Sequence, residues 1–296
     1  MPDILCVGHA AFDVTMQTEH HPAADEKMLA TALNLAGGGP AANAAVQVAR
    51  LGGSAGFCGY LGRDVFGHAH LAELEAAGVD TRFVVRGEMP TPVSQILAKP
   101  DGSRSVVNYR GDTIAQQDAA LLPSSFENKP SKLMLFDGHE PALALALCAQ
   151  AADTPTILDA GSLHAGTKAL AEKVDVLAAS QKFASQWCET EDMNKALEVL
   201  AGVNDCVVVT MGKQGLIWAR NGQRGSLPGF AVEALDSTGA GDSFHGALAL
   251  ALAQDMEWTQ ALRFASAAGA LTCTRLGARA ALPVEAEVEH LLRTNQ

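Results

Sequence analysis

Residues 236–247 read Asp-Ser-Thr-Gly-Ala-Gly-Asp-Ser-Phe-His-Gly-Ala, and their types and spacing could do chemistry. The small residues Gly239, Ala240 and Gly241 lead into Ala247-Leu-Ala-Leu-Ala-Leu-Ala253, a run that is apolar on every side and reads as a buried helix. Such a loop offers free backbone N–H groups and the positive end of a helix dipole, which together favour an anion. Small residues let that backbone come close to a ligand. Asp242 is out of place there, because a carboxylate repels the anion that the loop attracts. It fits if it takes a proton from a nucleophile attacking that anion, as a general base does in phosphoryl transfer. For a lone Gly-x-Gly-Asp, a helix cap after a turn would be the plainer account.

A second glycine segment, Gly37-Gly-Gly-Pro-Ala-Ala-Asn43, also runs into a helix-like stretch and places an amide side chain in its first turn. Gly37, Gly39 and Ala42 match a loose dinucleotide-binding fingerprint, but that fingerprint should directly follow a strand of the main sheet. Thr210-Met-Gly212-Lys-Gln-Gly215 ends a strand-like run, and the carboxyl end of a parallel strand is where such sheets place ligands. No Gly-x-x-x-x-Gly-Lys-Ser/Thr string occurs, which disfavours a P-loop enzyme. Ser243 and His245 are too close for a hydrolase dyad, Gly-x-Ser-x-Gly is absent, and no two histidines are spaced i, i+4, so no histidine reads as catalytic.

These loops need elements to hold them. Ile4–Val7, Ala55–Tyr60, Leu133–Phe136, Thr156–Leu158, Val174–Ala178 and Cys206–Thr210 read as strands apolar on both faces. Ala41–Leu51, Ala69–Ala77, Pro141–Ala151, Met193–Ala201 and Trp258–Thr274 read as the helices between them. The alternation predicts an α/β fold, a mostly parallel sheet flanked by helices on both faces. Residues 12–18, 28–36 and 91–110 break the rhythm, the last as two strand-like arms around Asp101-Gly102, a hairpin signal. Together they predict a small β lid, formed by about 12–36 and 90–112, on a single domain spanning 1–296.

At 296 residues, 48% hydrophobic and 18% charged, the chain can bury a large core. A net charge of −12 with no Lys/Arg run argues against nucleic acid or an anionic membrane as partner. The six cysteines are scattered, which predicts free thiols and no zinc site. The N-terminus lacks the pattern of a signal peptide and no run is long enough to span a bilayer, so a cytoplasmic protein is expected.

The 236–247 string resembles the signature of the ribokinase-like (PfkB) carbohydrate kinases, Asp-Thr-x-Gly-Ala-Gly-Asp followed by aromatic-x-Gly-Ala, with Ser237 in place of the usual threonine. Gly37–Asn43 resembles the N-terminal signature of that family, and Gly62-Arg-Asp64-Val-Phe-Gly67 resembles its Gly-x-Asp-x-x-Gly turn. The resemblance covers essentially the whole chain. It implies ATP and Mg²⁺ as cofactors and a sugar as acceptor, phosphorylated on a hydroxymethyl group. Asp242 would be the base and the Gly239, Ala240 and Gly241 amides would meet the phosphoryl group. Asp13, Gly38, Gly39 and Asn43 would hold the sugar, although Ala11 stands where the family has asparagine. Ser180, Thr210, Gly212, Gly215 and Ser266 would line the nucleotide, and Asp236 with Thr238 would serve a monovalent cation such as K⁺. The family's Asn-x-x-Glu falls on Ser180-Gln-Lys-Phe183, where both key residues differ.

Phe264-Ala-Ser and Cys273-Thr-Arg-Leu-Gly-Ala-Arg-Ala-Ala-Leu-Pro283 look most like the sulfofructose-kinase branch. Lys27 and Asn108 stand where that branch carries residues facing an anionic group, with Arg110 close by. The arginine expected after Leu133–Phe136 is replaced by Asp137-Gly-His139-Glu. A ketohexose-type acceptor is therefore expected, its charge left open, and Asp137 and His139 join the candidate sugar-binding residues. A homodimer through the lid is also expected. The competing readings are a dinucleotide-dependent oxidoreductase using Gly37–Ala42 and a non-catalytic sugar-binding protein on the same fold. Retention of Asp242 argues against the latter.

Overall fold

The structure, a computed structural model, describes residues 1–100, 103–111, 131–150 and 152–295. After β1 (Ile4–Val7) come two further strands, β2 (Ala11–Gln17) and β3 (Ala32–Gly38), before α1 (Pro40–Arg50) returns the chain to β4 (Ala55–Cys58). β5 (Tyr60–Gly62), α2 (Val65–Ala76), β6 (Val85–Gly87), β7 (Val93–Ala98) and β8 (Arg104–Tyr109) follow. From β9 (Leu133–Phe136) strand and helix alternate through α3 (Pro141–Gln150), β10 (Thr156–Ala160), α4 (Ala165–Leu170), β11 (Val176–Ser180), α5 (Gln181–Cys188), α6 (Met193–Leu200) and β12 (Cys206–Thr210). A hairpin of β13 (Leu216–Arg220) and β14 (Gln223–Leu227) precedes α7 (Ala240–Ala253), α8 (Trp258–Thr272), α9 (Ala278–Ala281) and α10 (Glu285–Thr294).

The main sheet has eight strands in the order β14-β13-β12-β11-β10-β9-β1-β4, parallel from β12 to β4 and antiparallel across β12-β13-β14. Side chains alternate across a strand, so each apolar run feeds two cores. Ile4 and Cys6 pack with α1, α7 and α8, whereas Leu5 and Val7 pack with α3, α5 and α6. The apolar run in α7 is buried as the sequence required. Cys6, Cys58 and Cys206 are buried free thiols. Among the described residues no helix is long and apolar enough to cross a membrane.

The irregular segments form a second sheet, ordered β3-β2-β7-β8. The cross-strand row Ala36, Asp13, Ser94, Asn108 puts those side chains on one face, which Gln17, Ala98 and Arg104 share. The row Leu35, Val14, Gln95, Val107 lies on the opposite face, together with Leu33, Met16, Leu97 and Tyr109. The arms around the expected hairpin pair in antiparallel fashion, Ala98 opposite Arg104, while Asp101-Gly102 lies outside the described residues.

Several element boundaries differ from the sequence reading. The run Ala55–Tyr60 is cut after Cys58, because Gly59 passes so close to β1 that a Cβ there would lie 2.2 Å from the Gly8 carbonyl oxygen. The strand expected at Val174–Ala178 runs from Val176 to Ser180, since Asp175 ends the preceding turn by accepting from Thr156 N (2.8 Å) and Oγ1 (2.6 Å). The helix expected from Ala69 starts at Val65, where the Asp64 side chain caps it by accepting from Gly67 N at 2.8 Å. The β13–β14 hairpin was not anticipated. Its turn is Asn221-Gly222, both at positive φ, a pairing that favours a two-residue turn.

Candidate active site

Two helix N-termini converge above the carboxyl edge of the main sheet. At α7, Gly239 adopts φ 79°, and a Cβ there would lie 2.9 Å from Ala278 Cα, so backbone angle and space both demand glycine. Asp236 fastens this loop. Its Oδ1 accepts from Thr238 N (2.9 Å) and Oγ1 (2.6 Å), and its Oδ2 accepts from Gly277 N (2.9 Å). The Gly241 and Asp242 N–H groups belong to the first turn and have no acceptor within the helix. Around Gly241 a Cβ would meet nothing within 4 Å, so a bulky anion has room.

At α1, Gly39 adopts φ 97° and Pro40 fills the first turn, where its missing N–H costs nothing. Gly246 lets α7 press against α1, since a Cβ there would lie 2.6 Å from the Ala44 carbonyl oxygen. That close crossing brings Asn43 Nδ2 to donate to Asp242 Oδ2 at 2.8 Å, and Ser243 Oγ to donate to Gln47 Oε1 at 2.9 Å. Asn43 Oδ1 in turn accepts from Arg279 Nη2 at 3.3 Å. The Arg279 guanidinium is buried, pairs with Glu73 at 2.9 Å and lies 2.9 Å from His70 Nε2. Glu73 also accepts from Gly37 N at 2.8 Å, which ties the second sheet to this network.

Burial raises the pKa of Asp242 to about 7. Asp159 and Asp137 push the same way, while the Asn43 bond and His245 oppose them. Asp13 faces Gly38, where a Cβ would sit 2.3 Å from its Oδ2; burial raises its pKa, and a Ser94 hydrogen bond and Arg279 lower it. Asp137 follows β9 and accepts from His9 N (2.7 Å), Ala41 N (3.1 Å) and His139 N (2.9 Å), which fixes the start of α1 over the sheet. Next to it the His9, His139 and His164 rings form a row, with centroids 5.5 and 4.6 Å apart. Arg110 donates to the His139 carbonyl at 2.9 Å and lies 3.6 Å from Glu140, whose carboxyl burial pushes up to about 8.

The residues expected to face a nucleotide lie farther along the same edge. Ser180 ends β11, donating to the Gly161 carbonyl (2.9 Å) and capping α5 through Phe183 N (3.0 Å). Thr210 ends β12, and Gly212 at φ 56° has open space where a side chain would be. Gly215 at φ 90° admits no Cβ, which would lie 2.0 Å from the Leu227 carbonyl oxygen. The Ser266 hydroxyl donates to the Leu262 carbonyl within α8 at 2.8 Å.

Comparisons with known proteins identify the family and the fold. Residues 1–285 match the model of the pfkB family carbohydrate kinases. The chain belongs to the pfkB family of carbohydrate kinases. It is 30% identical over 296 residues to a ribokinase of Bacillus subtilis, covering 99% of this chain and 100% of that one. It is 32% identical over 286 residues to fructokinase-1 of Oryza sativa subsp. japonica, covering 87% and 88%. Among solved structures, the ribokinase of Thermotoga maritima superposes with a TM-score of 0.88 at 26% identity, over 99% and 100% of the two chains. A fructokinase of Xylella fastidiosa with bound ATP superposes at 0.81 and 26% identity, over 99% of each chain.

In this carbohydrate kinase the residues singled out in sequence are largely brought together. Hydrogen bonds and close approaches link Asp242, Asn43, Gly39, Gly38, Asp13 and Asp137, and His139 and Arg110 adjoin Asp137. Asn108 shares a face and a cross-strand row with Asp13. Lys27 stands apart: it is exposed between β2 and β3 and forms no hydrogen bond or ion pair among the described residues. The dinucleotide fingerprint fails on position, because Gly37 ends a strand of the small sheet and not of the main one. Sequence reasoning did not single out Arg279, Glu73, His9 or Asp159 and gave His245 no role, yet all five are buried or part-buried beside Asp242, Asp13 or Asp137. Arg279 lies within the string quoted for the sulfofructose-kinase resemblance, so a signal was present there.

Proposed function

We propose that this ATP-dependent sugar kinase transfers the γ-phosphoryl group to a hydroxymethyl oxygen of a ketohexose-like acceptor, with Asp242 as general base. The observation that carries the reading is the Asp242 carboxyl, held by Asn43 at the one end of α7 whose first-turn N–H groups are free. An acceptor hydroxyl beside that carboxyl gives up its proton as it attacks, and the free N–H groups of Gly241 and Asp242, where the Gly239–Gly241 loop enters α7, take up charge on the passing phosphoryl group. The Ala240 N–H is instead turned to the Ser237 carbonyl at 3.3 Å. A base whose pKa lies near the working pH suits this task, and burial brings Asp242 to about 7. Asp13, Gly38, Gly39 and Asn43 hold the sugar in line, while Asn108, Arg110 and His139 meet its far end and Asp137, its oxygens taken by backbone N–H groups, holds the loop behind them.

Relatives named ribokinase and fructokinase support a sugar with a primary hydroxymethyl group. The Arg110 guanidinium at the rim favours an acceptor whose far end is anionic or strongly polar. The fit to Mg²⁺ is of one kind only. Among the described residues no cluster of His, Cys, Asp and Glu could hold a metal, and Phe183, at the second key position of Asn-x-x-Glu, is fully buried. The ion would therefore be held chiefly by the nucleotide and not by a cluster of side chains, and would supply positive charge against the phosphates. Thr210, Gly212 and Gly215 line the nucleotide, with Ser180 and Ser266 bordering them. A K⁺ ion at Asp236 and Thr238 would share oxygens already bonded to Thr238 and Gly277.

The small sheet of β2, β3, β7 and β8 serves as the lid. Its polar face carries Asp13 and Asn108, and Arg104 on that face approaches Asp236 at 3.8 Å, so this face covers the site. The opposite face leaves Leu33, Leu35, Val107 and Tyr109 more than half exposed, an apolar patch suited to a second copy of the chain. Val107→Asp should convert a dimer to a monomer in sedimentation, and a wild-type monomer at micromolar concentration would refute the pairing. The function itself is tested by ATP-dependent phosphorylation of fructose, ribose and anionic ketohexose derivatives, with the product's phosphorylated carbon read by NMR. Phosphorylation of none, or of a ring hydroxyl only, would overturn the reading.

A further inference from the structure

Beneath Asp242 lies a buried charge pair that the proposed reaction leaves without a role. His245 is three residues beyond Asp242 on α7, so the two side chains share a face of the helix. The side chains of His245 and of Asp159, on β10, are 4% and 9% exposed. His245 Nε2 lies 3.3 Å from the Ala178 carbonyl oxygen, and Nδ1 lies 3.1 Å from Asp159 Oδ2. A carbonyl oxygen only accepts, so Nε2 carries a hydrogen. A neutral ring would then turn the Nδ1 lone pair toward a carboxylate, two acceptors with nothing between them. A proton between them removes this repulsion, and on Nδ1 it makes the pair an imidazolium beside a carboxylate. Burial opposes a charged ring, but Asp159 first and Asp242 next outweigh it, and His245 is held above its ordinary value.

The charged and titratable groups around the Asp242 carboxyl come from four elements. They are Asp159 on β10, Asp137 after β9, His245 on the same helix, and Arg279 on α9, which acts through Asn43. We propose that His245 and Asp159 form a positioning pair for the base, in which the imidazolium neutralises Asp159 and so allows Asp242 to ionise beside a second buried carboxyl. The proposal rests on Asp242 being the base. Without the ring, Asp159 and Asp242 become two carboxyls in one buried place, and such pairs do not readily ionise together. Loss of both partners removes that second carboxyl with the ring and leaves Asp137 as the remaining buried carboxyl neighbour, as in wild type.

The test compares wild type with His245→Gln, Asp159→Asn, the double variant and Asp242→Asn, as kcat against pH on the best sugar acceptor. His245→Gln should move the acidic limb up by roughly one pH unit or more, a tenfold loss of turnover at a fixed pH on that limb. The high-pH plateau should fall by less, and the double variant should bring the limb back toward wild type. A limb that stays put, or a uniform fall at every pH that the double variant does not reverse, would mean that the ring only fills space. A second readout needs no turnover: ¹⁵N NMR should show both His245 nitrogens protonated at neutral pH in wild type and a neutral ring in Asp159→Asn. A neutral ring in wild type overturns the pair even where His245→Gln fails to fold. Should Asp242→Asn keep turnover with the same limb, the base assignment falls and takes this proposal with it. Should Asp242→Asn abolish turnover while His245→Gln leaves the limb in place, only the pair is refuted.

Discussion

Replacing Asp242 by asparagine keeps the shape of the side chain, removes its proton-accepting power, and should move activity and stability in opposite directions. Loss of a general base costs about 10²–10⁴-fold in rate, or ~3–5 kcal/mol of barrier. For stability, burial shifts this carboxyl from 3.8 to about 7 in the folded state. The folded protein thus holds the proton more tightly than the unfolded chain. The stabilisation is fully present below the unfolded value and is lost as pH rises through about 7. A shift of roughly three units sets a ceiling of ~4 kcal/mol on that loss, with coupling to Asp159 reducing it. Asparagine cannot ionise, so the variant escapes the loss. It should be the more stable protein at pH 8, with a gap that shrinks toward pH 4.5. Were Asp242 merely a helix-terminal charge, its removal would instead destabilise the fold, by ~0.3–1 kcal/mol. The assays are ADP release at saturating ATP and urea unfolding at the two pH values. Turnover within tenfold of wild type, or a variant less stable than wild type at pH 8, would refute the argument.

Gly38→Ala places a methyl group where Asp13 Oδ2 now lies 2.3 Å from the Cβ position, so KM for the sugar should rise about tenfold or more while KM for ATP holds. Initial rates with each substrate varied in turn decide it, and equal changes in both would argue for a general distortion. Arg110→Ala should raise KM for an anionic ketose more than tenfold, about 1.4 kcal/mol, and leave a neutral ketose little changed, because the guanidinium sits beside His139. Lys27→Ala should have the smaller effect, as Lys27 is exposed and unpaired among the described residues. A larger effect at Lys27 would show that the 18–31 segment folds over the bound sugar.

What could be read from the sequence was local. The anion loop at 239–241 follows from glycines before a buried helix, and the parallel sheet follows from short runs apolar on both faces. Both depend on neighbours in the chain, because the backbone sets the N–H directions and the period-2 alternation decides which core each side chain joins. The Asn221-Gly222 turn was equally legible, although the hairpin it forms was not anticipated. Boundaries were less so: Gly59 breaks its strand where the Gly8 carbonyl, just beyond β1, lies 2.2 Å from the Cβ position.

The tertiary structure alone decided the chemistry around the base. Asn43 and Asp242 are 199 residues apart and meet because Gly246 lets α7 press on α1. Arg279 reaches Asn43 over 236 residues, and Asp159 and Asp137 arrive from the ends of two strands. The proton affinity of Asp242 is a sum over such neighbours and over the water that their packing excludes. The sequence names the carboxyl and the loop it stands in; how tightly that carboxyl holds its proton depends on distances that exist only once helices and strands have packed.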